Sequence, residues 1–320
     1  MQAQLIYNAK AGGLSSSPKK ENLLNALQEA GFDPVYKETN EEEDLDRVLA
    51  DAEGLVVAAG GDGTVRAVAL RLLGRDVPLA IPPMGTANNI AKSLDVWGEP
   101  LQLISGLSEP QPRSFDIGRV DTPWGTVYFL EGMGFGFFAD VLAMYHPEKG
   151  KNIWRGLEAT SDILLKGRTY PNCLRFNGNE IGGKFLSAEF LNTGTVGLRL
   201  KFAPDASSSD GLLDLVLIEN DNREGFLDYA ANMMLEHLDQ LQTVTRYLFD
   251  ELRFFWDGFP IHVDGEIRPH DWHDRAEIKE TNGDPHAYLP DVEPATITID
   301  VLPKAPTLWL PAPGPDKKNE

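Results

Sequence analysis

LVVAAGGDGT, residues 55–64, decides the fold, because an apolar run leads directly into a glycine-rich turn. The apolar residues Leu55–Ala59 predict a buried strand, and the spacing of Val65, Val68 and Leu72 predicts a helix after the turn. Glycines at a strand end leave room for close approach, and the N–H groups that begin a helix attract anions. This stretch therefore predicts a phosphate site, although the same residues could form a turn chosen only for its geometry.

Strand and helix patterns alternate on both sides of this stretch. Short apolar runs predict strands at Gln4–Tyr7, Phe32–Glu38 and Val77–Pro82, and apolar residues at helical spacing fill the intervals. Repeated alternation of this kind predicts a parallel sheet covered by helices. We therefore expect an α/β N-terminal nucleotide-binding domain over residues 1–118.

The second part of the chain has a different pattern, in which short alternating segments are separated by turns. The dipeptides Asn177-Gly178 and Asp257-Gly258 predict hairpin turns. We expect an antiparallel β-sandwich-like C-terminal domain over residues 119–310, interrupted by helices near Trp154–Leu165 and Phe226–Leu238. Within it, the polar stretch His270–Pro294 predicts a long loop, and residues 311–320 predict a disordered tail.

Composition and charge restrict the classes of function. The chain has 320 residues and a formal net charge of −20, which argues against broad nucleic-acid binding. No apolar run approaches the roughly 18–20 residues that span a bilayer, so no transmembrane segment is expected. A single cysteine, Cys173, excludes an intramolecular disulfide and favours a reducing, cytoplasmic location.

A second loop of the same kind follows the strand at Val77–Pro82. It reads PMGTANN, residues 83–89, and contains Gly85, Thr86 and Asn88 before another helix. Because ligands collect at the carboxyl ends of parallel strands, we expect this loop and GGDGT to converge on one crevice. The alternative is that Thr86 and Asn88 only cap a helix.

The ordered pair GGDGT and PMGTANN resembles the diacylglycerol kinase catalytic-domain family, which includes bacterial diacylglycerol- and sphingosine-type lipid kinases. That fold is similar to the nucleotide domains of NAD kinases and phosphofructokinases. Three further stretches fit the lipid-kinase branch: Gly134-Phe135-Gly136, Pro204–Asp214 and Val263–Glu266. The resemblance covers roughly residues 4 to 302.

The resemblance implies ATP and Mg²⁺ as cofactors and assigns residues to each. The positions that match nucleotide-binding residues of the family are Asn8, Thr39, Gly60, Gly61, Asp62, Gly63, Thr64, Val65, Arg66, Gly85, Thr86 and Asn88. A structural Mg²⁺ is implied at Asp210 through its carboxylate, and at Ser207 and Leu212 through their backbone carbonyls.

The resemblance also implies three catalytic carboxylates. Asp264 matches the general base that accepts the proton of the lipid hydroxyl, and Glu266 beside it would help to hold Mg²⁺ or nucleotide. Asp62 competes for the role of base, but its place in the phosphate loop suits the organisation of Mg²⁺–ATP. The alternative for Asp264-Gly265-Glu266 is a polar hairpin turn.

Several positions depart from the family pattern. Ala9 replaces the usual proline of the first loop, Asn89 replaces an aspartate, and Glu131 and Phe138 replace an asparagine and an aspartate around Gly134-Phe135-Gly136. These departures concern substrate choice more than ATP binding.

The sequence thus predicts an ATP-dependent lipid kinase, which transfers the γ-phosphate to a hydroxyl of diacylglycerol or a related lipid alcohol. We expect a cytoplasmic enzyme that meets its membrane lipid peripherally, and exposed edge strands could pair two subunits into a homodimer. One alternative is a kinase of the same fold that acts on a soluble alcohol or nucleotide. Another is a non-catalytic regulator that binds nucleotide or lipid.

Overall fold

A computed structural model describes residues 1–8, 18–39, 42–144, 168–197, 200–219, 244–281 and 284–312 of the chain. Two units emerge, each with its own sheet. The first contains Met1–Asp116, Ser208–Asp210 and the segment from Pro303 onward, and the second contains Ile117–Ser207 and Gly211–Leu302. The helices predicted near residues 154–165 and 226–238 lie outside the described residues, as does the predicted tail from residue 313 onward.

The first unit is an α/β layer whose elements follow the predicted alternation. Its strands are β1 (Gln2–Tyr7), β2 (Asp33–Tyr36), β3 (Leu55–Ala59), β4 (Leu79–Ala80), β5 (Gln111–Ser114) and β21 (Thr307–Leu310). Its helices are α1 (Lys20–Glu29), α2 (Asp44–Leu49), α3 (Asp62–Arg71), α4 (Asn89–Ser93) and α5 (Pro100–Ser105), with a short 3-10 turn at Gly106–Ser108.

The sheet of the first unit has the strand order β2-β1-β3-β4-β21-β5. All neighbouring pairs are parallel except β21 and β5. Every residue of β3 is buried, which explains why this strand is a continuous apolar run. Helix α1 contributes Leu23, Ala26 and Leu27 to the same core. The predicted α/β domain with a mostly parallel sheet is confirmed.

The last strand corrects the predicted extent of the second domain, which was expected to reach residue 310. Leu308 in β21 pairs with Leu79 in β4, and Leu310 pairs with Gln111 in β5. Both leucines are buried. The pairing of a strand depends on burial against residues that are distant in the chain. The local sequence therefore did not indicate that this segment returns to the first sheet.

The second unit is built mainly from antiparallel strands. They are β6 (Ile117–Thr122), β7 (Gly125–Phe129), β8 (Gly132–Gly136), β9 (Tyr170–Phe176), β10 (Asn179–Leu191), β11 (Thr195–Val196), β12 (Leu200–Lys201), β13 (Leu213–Glu219), β14 (Val244–Phe249), β15 (Glu251–Trp256), β16 (Ile261–Val263), β17 (Glu266–Arg268), β18 (Glu277–Thr281), β19 (Asp284–Tyr288) and β20 (Ala295–Leu302). Two described helices accompany them, α6 (Phe137–Met144) and α7 (Trp272–Arg275).

Eleven of these strands form one curled sheet. Its main path is β17-β16-β8-β10-β9-β15-β20-β6-β7, and β13 and β14 continue from β10. The long strand β10 makes this branching possible, because its first half pairs with β9 and its second half pairs with β8 and β13. Aromatic rings fill the interior, with Phe190 stacked on Phe254 at a centroid distance of 5.3 Å. The antiparallel β-rich domain is confirmed.

Two of the predicted turns and loops are wrong in this unit, and one is right. Asn177-Gly178 joins β9 to β10 as a hairpin, as predicted. Asp257-Gly258 does not form a hairpin, because β15 pairs with β9 and β20 while β16 pairs with β8 and β17. The predicted loop His270–Pro294 contains α7 and the β18–β19 hairpin, whose polar strands lack the apolar alternation that indicates a strand.

None of the helices among the described residues has both the length and the apolar character needed to span a membrane.

Candidate active site

Four parallel strands of the first unit end at the same edge of the sheet. Asn8 follows β1, Thr39 lies three residues after β2, Gly60 follows β3, and Gly85 follows β4. Neighbours in the order β2-β1-β3-β4 bring these carboxyl ends side by side. The edge where the predicted nucleotide residues gather is therefore the edge at which α/β sheets bind ligands.

The two glycine-rich loops touch through their backbones. Gly60 forms a parallel bridge with Pro83, and the Met84 N–H donates to the Gly60 carbonyl at 2.9 Å. A Cβ atom on Gly85 would lie only 2.5 Å from the Cα of Gly61. Both glycines are thus needed for close approach, and the predicted convergence of GGDGT with PMGTANN is present in the structure.

Helix α3 begins inside GGDGT and directs its N-terminus to this edge. Gly61 is its N-cap residue and provides no side chain, and no side-chain cap hydrogen bond is made there. The Thr64 side chain lies within this first turn, and its Oγ1 accepts a hydrogen bond from Asn8 Nδ2 at 3.0 Å. Val65 is buried and offers a ligand only its backbone. The first turn of α3 is suited to hold phosphate oxygens through N–H groups.

Asp62 has a structural role that the sequence did not show. Its Oδ1 accepts a hydrogen bond from the Ile90 N–H, in the first turn of α4, at 3.1 Å. Within the described residues its Oδ2 has no hydrogen-bond partner. Asp62 can therefore fix the start of α4 with one oxygen and offer the other to a cation.

Asn88 closes the second loop on itself. It has a left-handed backbone, with φ 52°, and its side chain exchanges two hydrogen bonds with the backbone of Gly85 at 2.7 and 2.9 Å. Asn88 is thus the N-cap residue of α4 without a side-chain cap hydrogen bond. Thr86, between them, is exposed on the loop surface.

The stretch implied for structural Mg²⁺ lies between β12 and β13. Ser207 and Asp210 are exposed, and Leu212 is half-buried. Across the part of the chain that the structure describes, no three His, Cys, Asp or Glu side chains gather in a way that could hold a metal ion. The residues therefore fit only a site in which one carboxylate is supplemented by carbonyl oxygens and water, as hard cations accept. Asp214, farther along, is buried and paired with Arg246.

Asp264 lies in a two-residue hairpin turn between β16 and β17. Val263 pairs with Glu266, and both turn residues have positive φ, 49° for Asp264 and 74° for Gly265. The polar-turn alternative is thus correct for the backbone, but it does not account for the carboxylate, which faces the start of β8.

The Asp264 carboxylate is held by three successive backbone N–H groups. Oδ1 accepts from Leu130, Glu131 and Gly132 at 3.2, 2.8 and 3.1 Å, and Oδ2 accepts from Leu130 at 3.0 Å. The Asp264 N–H in turn donates to the Gly132 carbonyl at 2.8 Å. These hydrogen bonds fix the position of the Asp264 carboxylate at the end of β16.

Glu131, one of the departures from the family pattern, is buried beside Asp264, with 3% of its surface exposed. Its Oε2 accepts a hydrogen bond from the Gly197 N–H at 2.9 Å, and its carbonyl accepts from the Asn192 and Thr193 N–H groups at 2.9 and 3.1 Å. Glu131 therefore joins the loop before β8 to the loop after β10. Glu266 is mostly exposed and pairs with the buried Arg268 at 2.7 Å.

A second group of buried carboxylates was missed by the sequence reasoning. In α6, Asp140 accepts a hydrogen bond from the Tyr170 hydroxyl and lies 3.5 Å from the Arg168 guanidinium. Burial raises the pKa of Asp140 to about 6, and Arg168 and Tyr170 oppose that rise. Glu189 and His262 form another buried pair. No local motif marks either pair, because their members are far apart in the chain.

Comparison with known proteins identifies both units. Residues 2–120 match the model of the diacylglycerol kinase catalytic domain, and residues 170–275 match that of the YegS C-terminal NAD kinase beta sandwich-like domain. The chain is similar to the "Probable lipid kinase YegS-like" of Stenotrophomonas maltophilia, at 28% identity over 83% of this chain and 95% of the relative. It is also similar to the "Diacylglycerol kinase" of Bacillus subtilis, at 28% identity over 74% of this chain and 80% of the relative.

The fold agrees with solved structures. A diacylglycerol kinase structure from Bacillus anthracis str. Sterne covers 97% of this chain and 97% of its own, with a TM-score of 0.61 and 17% identity. Another structure from the same organism covers 97% of this chain and 98% of its own, with a TM-score of 0.70 and 17% identity. With both domain models matched in order, the chain belongs to the family of YegS-like lipid kinases and diacylglycerol kinases, and it is a kinase.

Proposed function

We propose that this kinase transfers the γ-phosphate of ATP to a hydroxyl of a lipid alcohol of the diacylglycerol type. The observation that carries the proposal is the close backbone approach of Gly61 and Gly85, which brings the GGDGT and PMGTANN loops together at the start of α3. The name of the Bacillus subtilis relative supports diacylglycerol as the first acceptor to test.

The first unit would bind the nucleotide. N–H groups in the first turn of α3 would hold phosphate oxygens, and the Asn8–Thr64 hydrogen bond would fix the position of that turn relative to β1. Thr39 and Thr86 lie at the same sheet edge and would contact the nucleotide. Arg66, in the second turn of α3, would add positive charge near the phosphates.

A catalytic Mg²⁺ would be held by Asp62 Oδ2, and a structural Mg²⁺ by the Asp210 carboxylate together with the Ser207 and Leu212 carbonyls. When bound, Mg²⁺ neutralises the charge that develops on the phosphates. The N–H groups at the start of α3 would orient the phosphate groups.

The second unit would supply the proton acceptor. A lipid hydroxyl loses its proton late in phosphoryl transfer, so a weakly basic carboxylate in a fixed position is sufficient. The three N–H groups that hold the Asp264 carboxylate fix its position. We assign the proton to Asp264 rather than Asp62, because Asp62 lies at the start of α3, where its carboxylate would organise Mg²⁺ and ATP.

A lipid-extract screen with radiolabelled ATP tests this function and identifies the acceptor together. We expect label in a phospholipid, with vesicle-bound acceptor used far better than a soluble short-chain analogue. Equal activity with the soluble analogue, without vesicle binding, would instead support a kinase of soluble alcohols. The absence of labelled product with any lipid would support the non-catalytic regulator.

The assignment of Asp264 is tested by Asp264→Asn, which keeps the turn because asparagine tolerates positive φ. We expect kcat to fall by about 10²- to 10⁴-fold, the usual contribution of general base catalysis, while ATP still binds. Undiminished lipid phosphorylation would show that Asp264 is not the base. We further propose that the enzyme is cytoplasmic and meets the membrane peripherally.

A further inference from the structure

Three neighbouring strands of the second unit place a buried glutamate and a buried histidine on either side of a glycine. In the registers of β10 with β8 and of β8 with β16, Glu189 lies opposite Gly134, and Gly134 lies opposite His262. Glu189 Oε2 and His262 Nε2 are 2.7 Å apart, and both side chains are 0% exposed. The carboxylate therefore reaches across the central strand to the histidine.

Gly134 is what allows this contact. A Cβ atom at that position would lie 2.2 Å from Glu189 Oε2 and 2.6 Å from Glu189 Cδ. Any other residue would displace the carboxylate from the strand. The contact with Glu189 thus explains why position 134, the first of Gly134-Phe135-Gly136 in the central strand, is a glycine. The sequence motif alone does not show this reason.

The pair is fixed on its other sides as well. The Ser187 hydroxyl donates to Glu189 Oε1 at 2.8 Å, so both carboxylate oxygens are hydrogen-bonded. Glu189 Oε2 and His262 Nε2 share the hydrogen bond on the opposite side of the carboxylate. Phe138 packs edge-on against the imidazole at a centroid distance of 4.7 Å. His262 Nδ1 has no hydrogen-bond partner among the described residues, so the imidazole is held by its Nε2 contact to Glu189 and by this packing.

This pair lies next to the turn that holds the proposed base. His262 is in the middle of the three-residue strand β16, two residues before Asp264, and Val263 pairs with Met133 in β8. The β8 strand begins at Gly132, whose N–H is one of the three that bind the Asp264 carboxylate. A displacement of β16 along β8 would therefore move Asp264 relative to its N–H donors.

Stability alone does not explain the pair. Buried ion pairs are often no more stabilising than apolar residues of the same volume, because removing two polar groups from water costs as much as their attraction returns. What such a pair does provide is a single geometry, since charge-assisted hydrogen bonds are short and directional. The strand that the pair fixes is β16, which leads directly into the turn that contains Asp264.

We propose that Glu189 and His262 are positioning residues, which lock β16 across Gly134 and so hold the Asp264 carboxylate against the N–H groups of residues 130–132. The proposal rests on the function proposed for Asp264. Glu189 and His262 touch neither nucleotide nor lipid in this scheme, and they act through the position of the turn.

The test compares three variants of the full-length protein. His262→Leu leaves the Glu189 carboxylate buried without its donor, and we expect kcat to fall by about 10- to 100-fold with KM for ATP unchanged, as small misplacements of a catalytic group do. His262→Gln retains a donor near the position of Nε2 and should recover most of the activity. The double variant Glu189→Leu/His262→Leu removes both polar groups and should recover stability, but kcat should remain low.

A purely structural pair gives a different result, because the double variant would then recover activity together with stability. Wild-type kcat in that variant overturns the proposal. If the double variant does not fold, the Glu189→Gln variant distinguishes a positioning role from a purely structural one, because it preserves the side-chain volume and removes the charge.

A second readout does not depend on kinase activity. We expect the Leu130, Glu131 and Gly132 amides to exchange with solvent about 10-fold faster in His262→Leu, and faster than wild type in Glu189→Gln, because their carboxylate acceptor is no longer held in place. Tyr170→Phe, which removes another buried hydrogen bond to a carboxylate, serves as the matched control and should leave these amides unchanged. Unchanged exchange in both pair variants would refute the positioning role, whereas changed exchange in an enzyme that phosphorylates no lipid would refute only the proposed function.

Discussion

Alanine at position 85 should force apart the two loops that form the candidate nucleotide site. Its Cβ would lie 2.5 Å from the Gly61 Cα and 2.8 Å from Asn88 Oδ1, whereas ordinary van der Waals contact begins at 3.4 Å. The Gly61 Cα must therefore retreat by about 0.9 Å, the difference between 3.4 and 2.5 Å. Because that atom is backbone at the N-cap of α3, no side-chain rotation can relieve the overlap.

The size of the effect follows from this rigidity. Overpacking costs about 1–3 kcal/mol, and a backbone neighbour places Gly85→Ala toward the upper end of that range. The displaced atoms also carry the N–H groups expected to bind phosphate. If at least half of this strain energy opposes ATP binding, the affinity for ATP falls by about 10-fold, because each 1.4 kcal/mol is a factor of ten.

Urea unfolding and calorimetric ATP titration would measure both effects in a graded series. Gly61→Ala, whose Cβ would lie 3.1 Å from the Gly85 Cα, should destabilise less than Gly85→Ala. Gly63→Ala is the matched control for stability, because nothing lies within 4 Å of its Cβ and alanine favours the first turn of α3. The reasoning fails if Gly85→Ala unfolds like the wild type, or if Gly63→Ala is as destabilising as Gly85→Ala.

Three further outcomes follow from the contacts of single carboxylates. Asp62→Asn should keep the Ile90 hydrogen bond and the wild-type stability but lose lipid phosphorylation. Asp62→Ala should lose about 1 kcal/mol of stability as well, because the helix cap is lost. Equal stability of the two variants in urea would contradict the capping role. The folded-state pKa of Asp140, about 6, lies above its ordinary value of 3.8. Ionisation of Asp140 therefore lowers the free energy of unfolding, and this loss is absent at low pH and increases as pH rises from about 4 to about 6. Asp140→Asn should thus gain roughly 2–3 kcal/mol relative to wild type between pH 4 and pH 7, and a pH-independent difference in urea midpoints would exclude this. Arg246→Met should destabilise by about 3 kcal/mol, because it removes the guanidinium that pairs with the buried Asp214, and Asp214→Leu in the same chain should restore most of the loss.

Local patterns were sufficient wherever chemistry and secondary structure coincide in a short segment. The run Leu55–Ala59 is a buried strand because it is apolar throughout, and the GGDGT turn joins it directly to α3, as predicted. The hairpin at Asn177-Gly178 followed from the same local logic, since both residues accept positive φ. The hairpin predicted at Asp257-Gly258 failed although its residues are equally suitable, because the flanking strands find other partners in the sheet.

The α/β unit, the β-rich unit and the two glycine-rich loops could be predicted from the sequence, because each depends on residues adjacent in the chain. Tertiary structure alone decided that β21 returns to the first sheet, that Asp62 fixes α4, and that three N–H groups hold Asp264. It alone also placed Glu189 across Gly134 from His262, 73 residues away. Such contacts join distant segments through burial and hydrogen-bond geometry. Neither burial between distant segments nor hydrogen-bond geometry produces a periodic pattern in the sequence.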